Sequence, residues 1–190
     1  MRLFVALEIP EAVRENLAAI RENFSAIGSK LRWVPPQNYH VTLKFIGSVP
    51  TEKVQAIIEA LRSVSLDDRV EVCFRGLGWY LNAKTGVMLW AIIDDSMSLA
   101  ALAASIDGPL ASMGFAPEKR SFVPHLTLAR GSRDVPASSK TALRELAEQH
   151  KQHDFGSMSA TEFQLIESTT LPAGPIYSKV QSFPFAAAGN

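Results

Sequence analysis

The sequence predicts an α+β fold made of two similar lobes, with antiparallel sheets and flanking helices around a central cleft. Runs of β-prone residues alternate with amphipathic helical segments along the 190-residue chain. The pattern H-x-T-L occurs twice, at 40–43 and 125–128, and the segments around both copies follow the same order. We therefore expect one domain over residues 1–190, built from two pseudo-symmetric lobes.

The first segments of the chain predict a strand, a helix and a second strand. Residues 2–9 form a β-prone run that ends at Pro10. The next segment has apolar residues at helical spacing and predicts an amphipathic helix that ends at Gly28. Its inward positions are Val13, Leu17, Ile20, Phe24 and Ile27. A short strand is predicted at 31–34, before two prolines.

The first motif lies in a strand predicted at about 39–46. Thr51 is placed to cap a second helix over 51–64, which has an apolar inward face. Apolar and charged residues alternate at 69–76, which predicts a strand with one solvated face. A buried strand is predicted next, at 87–93.

A third helix is predicted from residues 94–98 to about Met113. The pair Gly108-Pro109 predicts a kink or break in it, because proline lacks an amide hydrogen and crowds the preceding turn. A loop at 115–122 then leads to the second motif strand.

A fourth helix is predicted to run to about His150, with Ser138 or Ser139 as its N-cap. Two further strands are predicted at about 158–167 and 176–183. The order strand, helix, motif strand, helix therefore occurs in both halves of the chain.

Equal spacing supports this duplication. Phe4 opens an apolar run 36 residues before His40, and Leu89 opens a similar run 36 residues before His125. Each motif is followed by a glycine, a Val-Pro pair and a helix. A pseudo-twofold relation sets the two motif strands face to face across a central cleft, which is a common place for a ligand.

The two motifs predict acid–base chemistry on a phosphate. Residues i and i+2 of a strand share a face, so His40 lies beside Thr42 and His125 lies beside Thr127. Histidine has an unperturbed pKa near 6.5, so one imidazole can accept a proton while the other donates one. The threonine hydroxyls are suited to donate hydrogen bonds to the non-bridging oxygens of a phosphodiester. A duplicated strand without chemistry is the alternative interpretation.

Basic residues flank both motifs. Strict alternation places Lys44 on the face of His40 and Thr42, where it would bind substrate. The same rule turns Arg130 to the opposite side, unless the strand ends or bulges there. Further positive charge comes from Lys119, Arg120 and Arg133. Solvated surface charge is the alternative for all of these residues.

Other site chemistries lack a signal in the sequence. A catalytic zinc needs three protein ligands, whereas each motif supplies one histidine without a carboxylate at ligand spacing. The pair His150 and His153 lies on another segment and is weak evidence for a metal. The chain has no G-x-S-x-G, P-loop or G-x-G-x-x-G pattern. We therefore expect neither a metal nor a cofactor.

Composition limits the partners and the compartment. The chain is 47% hydrophobic and its formal net charge is zero, which disfavours a coat for long duplex nucleic acid but allows a short nucleic-acid end. The single cysteine, Cys73, fits a reducing compartment. No stretch has the length of a membrane-spanning or export segment. We expect a cytoplasmic monomer without a membrane partner.

The motifs in their flanking context resemble a known family. The relevant stretches are RLFVALEIP, RWVPPQNYHVTLKFIG, FVPHLTLAR and IYSKVQSFPF. They are similar to the 2H phosphoesterases, and more particularly to the LigT-like RNA 2′,3′-cyclic phosphodiesterases, which are also called 2′-5′ RNA ligases. The resemblance covers nearly the whole chain and includes both complete motifs.

This resemblance implies a bilobal α+β fold and metal-independent hydrolysis of an RNA terminal 2′,3′-cyclic phosphate to a 2′-phosphomonoester. It makes His40 the general acid for the departing 3′ oxygen and His125 the general base for water. It makes Thr42 and Thr127 phosphate ligands and puts Arg130 at a position that is often basic or polar in relatives. Because the lobes are pseudo-symmetric, the residues alone do not say which histidine is the acid.

Several interpretations of the substrate stay open at this point. The expected substrate is an RNA 3′ end or a small cyclic nucleotide. If a ribose hydroxyl attacked in place of water, the same site would join RNA ends through a 2′-5′ bond. Another small cyclic or 2′-5′ linked nucleotide, or a non-catalytic RNA-end binding module, are further alternatives. The aromatic residues that are candidates to stack a terminal base, with core packing as the alternative, are Trp33, Tyr39, Phe45 and Phe122.

Overall fold

The computed structural model describes residues 1–22, 31–64, 69–82, 84, 86–94, 97–118, 121–172 and 174–185. Its strands are β1 (Arg2–Glu8), β2 (Leu31–Trp33), β3 (His40–Ser48), β4 (Val70–Asn82), β5 (Gly86–Asp94), β6 (His125–Gly131), β7 (Asp154–Ala160), β8 (Glu162–Leu171) and β9 (Gly174–Pro184). Its α-helices are α1 (Glu11–Glu22), α2 (Val54–Arg62), α3 (Met97–Ser112) and α4 (Ala137–Gln149). Short 3₁₀ turns at Pro36–Asn38 and Thr51–Lys53 precede β3 and α2.

The strands form two antiparallel sheets, which confirms the predicted α+β class. The first sheet has the order β3-β1-β8-β9 and the second has the order β2-β6-β5-β4-β7. Each motif strand lies beside the strand that opens its own repeat, since β3 pairs with β1 and β6 pairs with β5. Each half of the chain also contributes a strand to the other sheet, because β4 pairs with β5 and β8 pairs with β1. These exchanged strands tie the two lobes together.

One continuous apolar core lies behind the motif strands. Val5 and Val41 of the first sheet, and Leu89 and Leu126 of the second, are fully buried in it. Helix α3 packs against β3 and β4, and α4 packs against β4 and β5. Because alternate strand residues face opposite sides, this core turns the neighbouring residues of β3 and β6 toward the cleft. Of the described helices, none has both the length and the apolar character that crossing a membrane requires.

The strand register corrects the predicted repeat by one residue. The residue paired with the motif histidine is Glu8 in the first sheet and Ile92 in the second. Phe4 lies four residues before Glu8, and Met88 lies four residues before Ile92, so these two residues are equivalent. The equal spacing had instead predicted that Phe4 is equivalent to Leu89. Phe4 and Met88 line the cleft, whereas Leu89 lies in the core. The spacing was misleading because both faces of these strands are apolar, so the pattern does not mark which residue faces the core.

The two helices that follow the motifs begin without the predicted side-chain caps. Thr51 lies inside a 3₁₀ turn, and Ser138 and Ser139 lie within the first turn of α4. The residues before these turns are Pro50 and Pro136, whose φ angles are −60° and −54°. Proline fixes φ near the helical value, so the proline ring restrains the backbone at the start of each helical segment. It takes the place of the serine or threonine N-cap that the sequence predicted.

Helix α3 runs without interruption through Pro109, so the predicted break does not occur. Ile106 and Leu110, which lie on either side of the proline in sequence, are fully buried and hold both parts of the helix to the core. The helix then ends at Ser112. Packing of the apolar face therefore outweighs the local cost of proline near the helix end.

Other boundaries differ from the predicted ones. The strand predicted at 158–167 is two strands, β7 and β8, separated at Thr161. The first of these is rich in serine and has little β propensity, but it pairs along β4. Strand β4 itself extends beyond the predicted 69–76 to Asn82. The predicted end of the first helix at Gly28 lies outside the described residues.

We expect Gly86→Ala to lower the free energy of unfolding by about 2 kcal/mol or more. Gly86 has a φ of +89°, and a Cβ there would lie 2.1 Å from the carbonyl oxygen of Gly131 on the neighbouring strand. Gly108→Ala is the matched control, because no atom beyond the adjacent residues and the backbone of α3 itself lies within 4 Å of its Cβ position, and we expect it to stabilise by about 0.5–1 kcal/mol. Urea denaturation measures both values, and an unchanged midpoint for Gly86→Ala would contradict the close approach of β5 and β6 at this glycine.

Candidate active site

A cavity of about 470 Å³ lies between the cleft faces of the two sheets, and both motif strands line it. Strands β3 and β6 contact each other next to this space. The cavity brings together most of the predicted site residues, namely His40, Thr42, His125, Thr127 and Arg130. Lys44 is not among the residues that line it. The structure thus unites both histidine–threonine pairs at one site.

Both motif histidines make the same backbone contact. His40 Nδ1 lies 2.7 Å from the carbonyl oxygen of Asn38, and His125 Nδ1 lies 2.9 Å from that of Val123. A carbonyl oxygen only accepts hydrogen bonds, so each Nδ1 carries a proton and donates it. The other ring nitrogen, Nε2, is therefore the atom that gains and loses a proton. This arrangement suits a pair of imidazoles in which one takes a proton and the other gives one.

A β-bulge at Leu128 turns Arg130 toward the cleft. The register of β6 against β5 shifts by one residue between Thr127 and Ala129, and both Leu128 and Ala129 are buried. Arg130 consequently lies on the side of Thr127, and its Nη2 donates a hydrogen bond to Thr127 Oγ1 at 3.2 Å. Strict alternation placed this arginine on the opposite face, and the bulge is the physical reason why it does not lie there.

An equivalent bulge at Leu43 has the opposite consequence for Lys44. The register of β3 against β1 shifts between Thr42 and Lys44. Lys44 therefore lies on the buried side and is 7% exposed, while Phe45 lies on the cleft side and is 70% exposed. The prediction that Lys44 shares a face with His40 and Thr42 is wrong, because alternation fails at the bulge.

Lys44 links three segments of the chain that surround the site. Its Nζ contacts the carboxylate of Asp107 on α3 and donates a hydrogen bond to the carbonyl oxygen of Ala116 at 2.8 Å. The second carboxylate oxygen of Asp107 accepts a hydrogen bond from the amide of Glu118 at 3.2 Å. The ion pair thus joins β3 to α3 and to the loop that leads into β6. The same loop carries the carbonyl that holds the second motif histidine.

Burial lowers the pKa of His40 below its usual value. The centre of its ring lies 4.9 Å from that of Phe4 and 5.2 Å from that of Tyr177, and loss of hydration disfavours the charged form. The carbonyl that holds Nδ1 opposes this change of pKa, whereas the charges of His125 and Arg130 lower the pKa further. In the protein without substrate, His40 is therefore mainly neutral at pH 7.

Two ionisable residues that line the cavity, Arg2 and Tyr177, were not predicted from the sequence. Arg2 opens β1 and Tyr177 lies on β9, and both line the cavity. No spacing relates them to either motif, although Arg2 opens the first stretch that carried the family resemblance and Tyr177 falls in the last one. Burial raises the pKa of Tyr177, while Arg130 and Arg2 act against this increase. The phenol is thus a neutral hydroxyl that faces the same space as the histidines.

The structure separates the four aromatic candidates for base stacking. Phe45 lines the cavity, and Phe122 lines an adjoining cavity on the other side of His125. Tyr39 is buried, and this burial raises its pKa to about 12. Trp33 packs against the apolar core. Phe45 and Phe122 are therefore the two of these four residues that line a cavity.

The remaining predicted groups lie away from the cavity. Arg133 is exposed and lines neither cavity, and Lys119 and Arg120 lie outside the described residues. The rings of His150 and His153 meet edge to face with their centres 5.5 Å apart, and both lie against the ring of the core residue Phe155. Within the described part of the chain, no group of three or more His, Cys, Asp or Glu side chains is arranged to hold a metal ion.

Comparison with known proteins finds relatives along the whole chain. The model of the LigT like Phosphoesterase family matches residues 7–90 and 93–177, and each matched stretch contains one histidine motif. Proteins named RNA 2′,3′-cyclic phosphodiesterase from Methanocaldococcus jannaschii and Archaeoglobus fulgidus are 33% and 32% identical to this chain. Both alignments cover 96% of this chain, and they cover 100% and 99% of the two relatives.

Solved structures share the fold. A crystal structure from Thermus thermophilus superposes with a TM-score of 0.80 at 24% identity and covers 100% of both chains. The crystal structure of E. coli LigT complexed with 3′-AMP superposes with a TM-score of 0.77 at 24% identity and covers 97% of both chains. This chain therefore shares its overall fold with both structures.

We expect Lys44→Met to lower the free energy of unfolding by about 1–3 kcal/mol, because it leaves the partly buried Asp107 without its cation. Adding Asp107→Leu should restore most of that loss, since two apolar side chains then replace the ion pair. Urea denaturation of the single and double variants gives the coupling between the two positions. Lys151→Met, at an exposed ion pair, is the control with a change below about 0.5 kcal/mol. Additive losses in the double variant would contradict the pairing.

We expect the His40 ring to titrate with a midpoint below pH 6.5 in the protein without substrate, because burial is the main influence on its pKa. Arg130→Gln should raise this midpoint, since a positive charge near the ring is removed. Two-dimensional ¹H–¹⁵N NMR of the imidazoles reports the midpoint and the tautomer. A midpoint above 6.5, or a neutral form protonated at Nε2, would contradict the geometry described above.

Proposed function

We propose that this chain, which belongs to the LigT-like phosphoesterase family, hydrolyses a terminal RNA 2′,3′-cyclic phosphate to a 2′-phosphomonoester by acid–base catalysis between its two motif histidines. The enzyme class, an RNA 2′,3′-cyclic phosphodiesterase, follows from the family match and from relatives of that name over nearly the full length. The observation that carries the mechanism is the pair of histidines that face one cavity with Nδ1 held by a carbonyl.

The phosphate binds between the two motifs. The Thr42 and Thr127 hydroxyls and the Arg130 guanidinium line the same cavity as both imidazoles. A cyclic phosphodiester carries one negative charge, which the guanidinium compensates, and the hydroxyls donate hydrogen bonds to the non-bridging oxygens. These donors become more effective as charge accumulates on the oxygens in the transition state.

The histidines then act on opposite sides of the phosphorus. Nε2 of His125 takes a proton from water as the water oxygen bonds to phosphorus, and Nε2–H of His40 gives its proton to the departing 3′ oxygen. His40 must be protonated for this step. Burial keeps it mainly neutral in the free protein, and the negative charge of the bound phosphate favours its protonated form. Substrate binding and protonation of His40 are therefore coupled.

The cationic wall of the cavity supports RNA as the substrate. Arg2 and Arg130 line it, and its described lining residues include no carboxylate. A polynucleotide places further phosphates near the terminal one, so two guanidiniums favour an RNA end over a single cyclic nucleotide. Cytoplasmic location and a monomeric state stay predictions from the sequence.

We expect His40→Ala and His125→Ala each to reduce turnover by about 10²–10⁴-fold, because each removes one positioned proton transfer. The measurement is ³¹P NMR of a short RNA that ends in a 2′,3′-cyclic phosphate, with EDTA present throughout. His153→Gln is the matched control, since this exposed histidine lines neither cavity, and its rate should stay within about twofold of the unchanged protein.

The product and the chelator test separate parts of the proposal. A 2′-monoester as the only product supports protonation of the 3′ oxygen, whereas a 3′-monoester would reverse the orientation of the ribose. Loss of activity in EDTA would contradict a mechanism that uses histidines alone. Full activity in either alanine variant would refute the two-histidine mechanism.

A further inference from the structure

Arg2 supplies the first cavity with a guanidinium that the proposed reaction does not use. It opens β1 and lines the cavity, whose described lining residues include no carboxylate. Within the part of the chain that the structure describes, this guanidinium takes part in no hydrogen bond or ion pair, whereas that of Arg130 donates to Thr127. An arginine that faces a cavity without an anion of its own is suited to bind a phosphate.

Two hydroxyl side chains lie beside Arg2. Strand β8 runs antiparallel to β1 with Leu3 opposite Glu167. Continuing this register places Ser168 next to Arg2, and Thr170 follows two residues later on the same face. All three residues line the cavity, and neither hydroxyl is hydrogen-bonded to another described residue. Together they present one positive charge and two hydroxyl donors to a single anion.

This group lies at a distance from the proposed position of the cyclic phosphate. Ala6 is paired with Thr42, which belongs to that position. Arg2 lies four residues from Ala6 along β1, which corresponds to about 13 Å of strand. Arg130, by contrast, is hydrogen-bonded to Thr127 at the phosphate position itself. The two guanidiniums are therefore suited to bind two different phosphates.

The surface between the two positions is aromatic. The ring centres of Phe4 and Tyr177 lie 5.1 Å apart, and they lie 4.9 Å and 5.2 Å from that of His40. In the proposed hydrolysis His40 protonates the 3′ oxygen, so the terminal ribose lies on this side of the phosphorus. The 5′ carbon of a ribose is remote from its 2′,3′ edge. This orientation directs the phosphate on the 5′ carbon along β1 toward Arg2.

The second lobe offers no side chain at the corresponding position. Arg2 and Gly86 lie two residues before the equivalent residues Phe4 and Met88. A Cβ on Gly86 would lie 2.1 Å from a carbonyl oxygen of the neighbouring strand, so an arginine does not fit there. The difference favours a second phosphate on the first-lobe side of the cleft, which is the side of the departing 3′ oxygen.

We propose that Arg2, Ser168 and Thr170 form a subsite for the phosphodiester that precedes the terminal cyclic phosphate of an RNA. This inference rests on the proposed function. The guanidinium and the hydroxyls donate hydrogen bonds to the non-bridging oxygens of that linkage. Because Arg2 is exposed, salt weakens the contact. The charge of this linkage, and not the base attached to it, then distinguishes an oligonucleotide end from a cyclic mononucleotide.

The test removes the charge from each side of the contact in turn. Two adenosine dinucleotides with a terminal 2′,3′-cyclic phosphate are compared, one with a natural internal linkage and one with a neutral methylphosphonate. The kcat/KM for opening of the cyclic ester is measured for both. We expect the unchanged protein to prefer the charged dinucleotide about tenfold. Arg2→Gln should reduce this preference to nearly one, since each change removes the same interaction.

A control variant and two further measurements locate the effect. Arg133→Gln removes the same charge from an exposed residue that lines neither cavity, so the preference should stay within about twofold of that of the unchanged protein. Ser168→Ala should lower the preference about threefold. Added KCl should lower the preference of the unchanged protein. Both substrates are assayed on one preparation, so the fraction of folded enzyme does not change their ratio.

Two outcomes would overturn the inference while leaving the proposed function intact. One is equal kcat/KM for the charged and the neutral dinucleotide in the unchanged protein. The other is a preference for the charged dinucleotide that persists in Arg2→Gln. A failure of the unchanged protein to open the cyclic ester of either dinucleotide would instead contradict the proposed function itself.

Discussion

A pair of β-bulges, at Leu43 and Leu128, is the constraint on which the site depends. Each bulge follows a histidine–threonine pair and reverses the alternation of the residues after it. Without the second bulge, Arg130 would enter the apolar core, and without the first Lys44 would stand in the cleft in place of Phe45. The inserted residues Leu43 and Leu128 therefore decide which charged side chains face the cleft.

The bulges also show how a duplicated frame becomes an asymmetric site. Arg130 and Phe45 occupy equivalent positions, so one lobe presents a cation and the other an exposed aromatic ring. Trp90 and Ala6 also occupy equivalent positions, so a large aromatic side chain lies beside His125 and a methyl group occupies the corresponding place in the other lobe. Duplication thus supplies two histidines in matching backbone contacts, while differences between the lobes give the two sides of the cleft different side chains.

Much of this arrangement was predictable from local patterns. The strands, the helices and the shared faces of His40 with Thr42 and of His125 with Thr127 follow from periodicity, because burial of one strand face orders every second residue. The positions that differed depend on contacts between distant segments. Strand β7 has weak propensity and exists because β4 pairs with it, and α3 continues through Pro109 because its apolar residues are buried on both sides.

By itself, the sequence determined the α+β class, the duplication and the two histidine–threonine pairs, since these depend on spacing along the chain. Tertiary structure decided the position of Lys44, the orientation of Arg130 toward the cleft, and the presence of Arg2 and Tyr177 in the wall of the cavity. A bulge is a mismatch between two paired strands, and a cavity is bounded by residues from several elements. Neither is encoded in the spacing of one segment, so both emerge only when the strands are assembled.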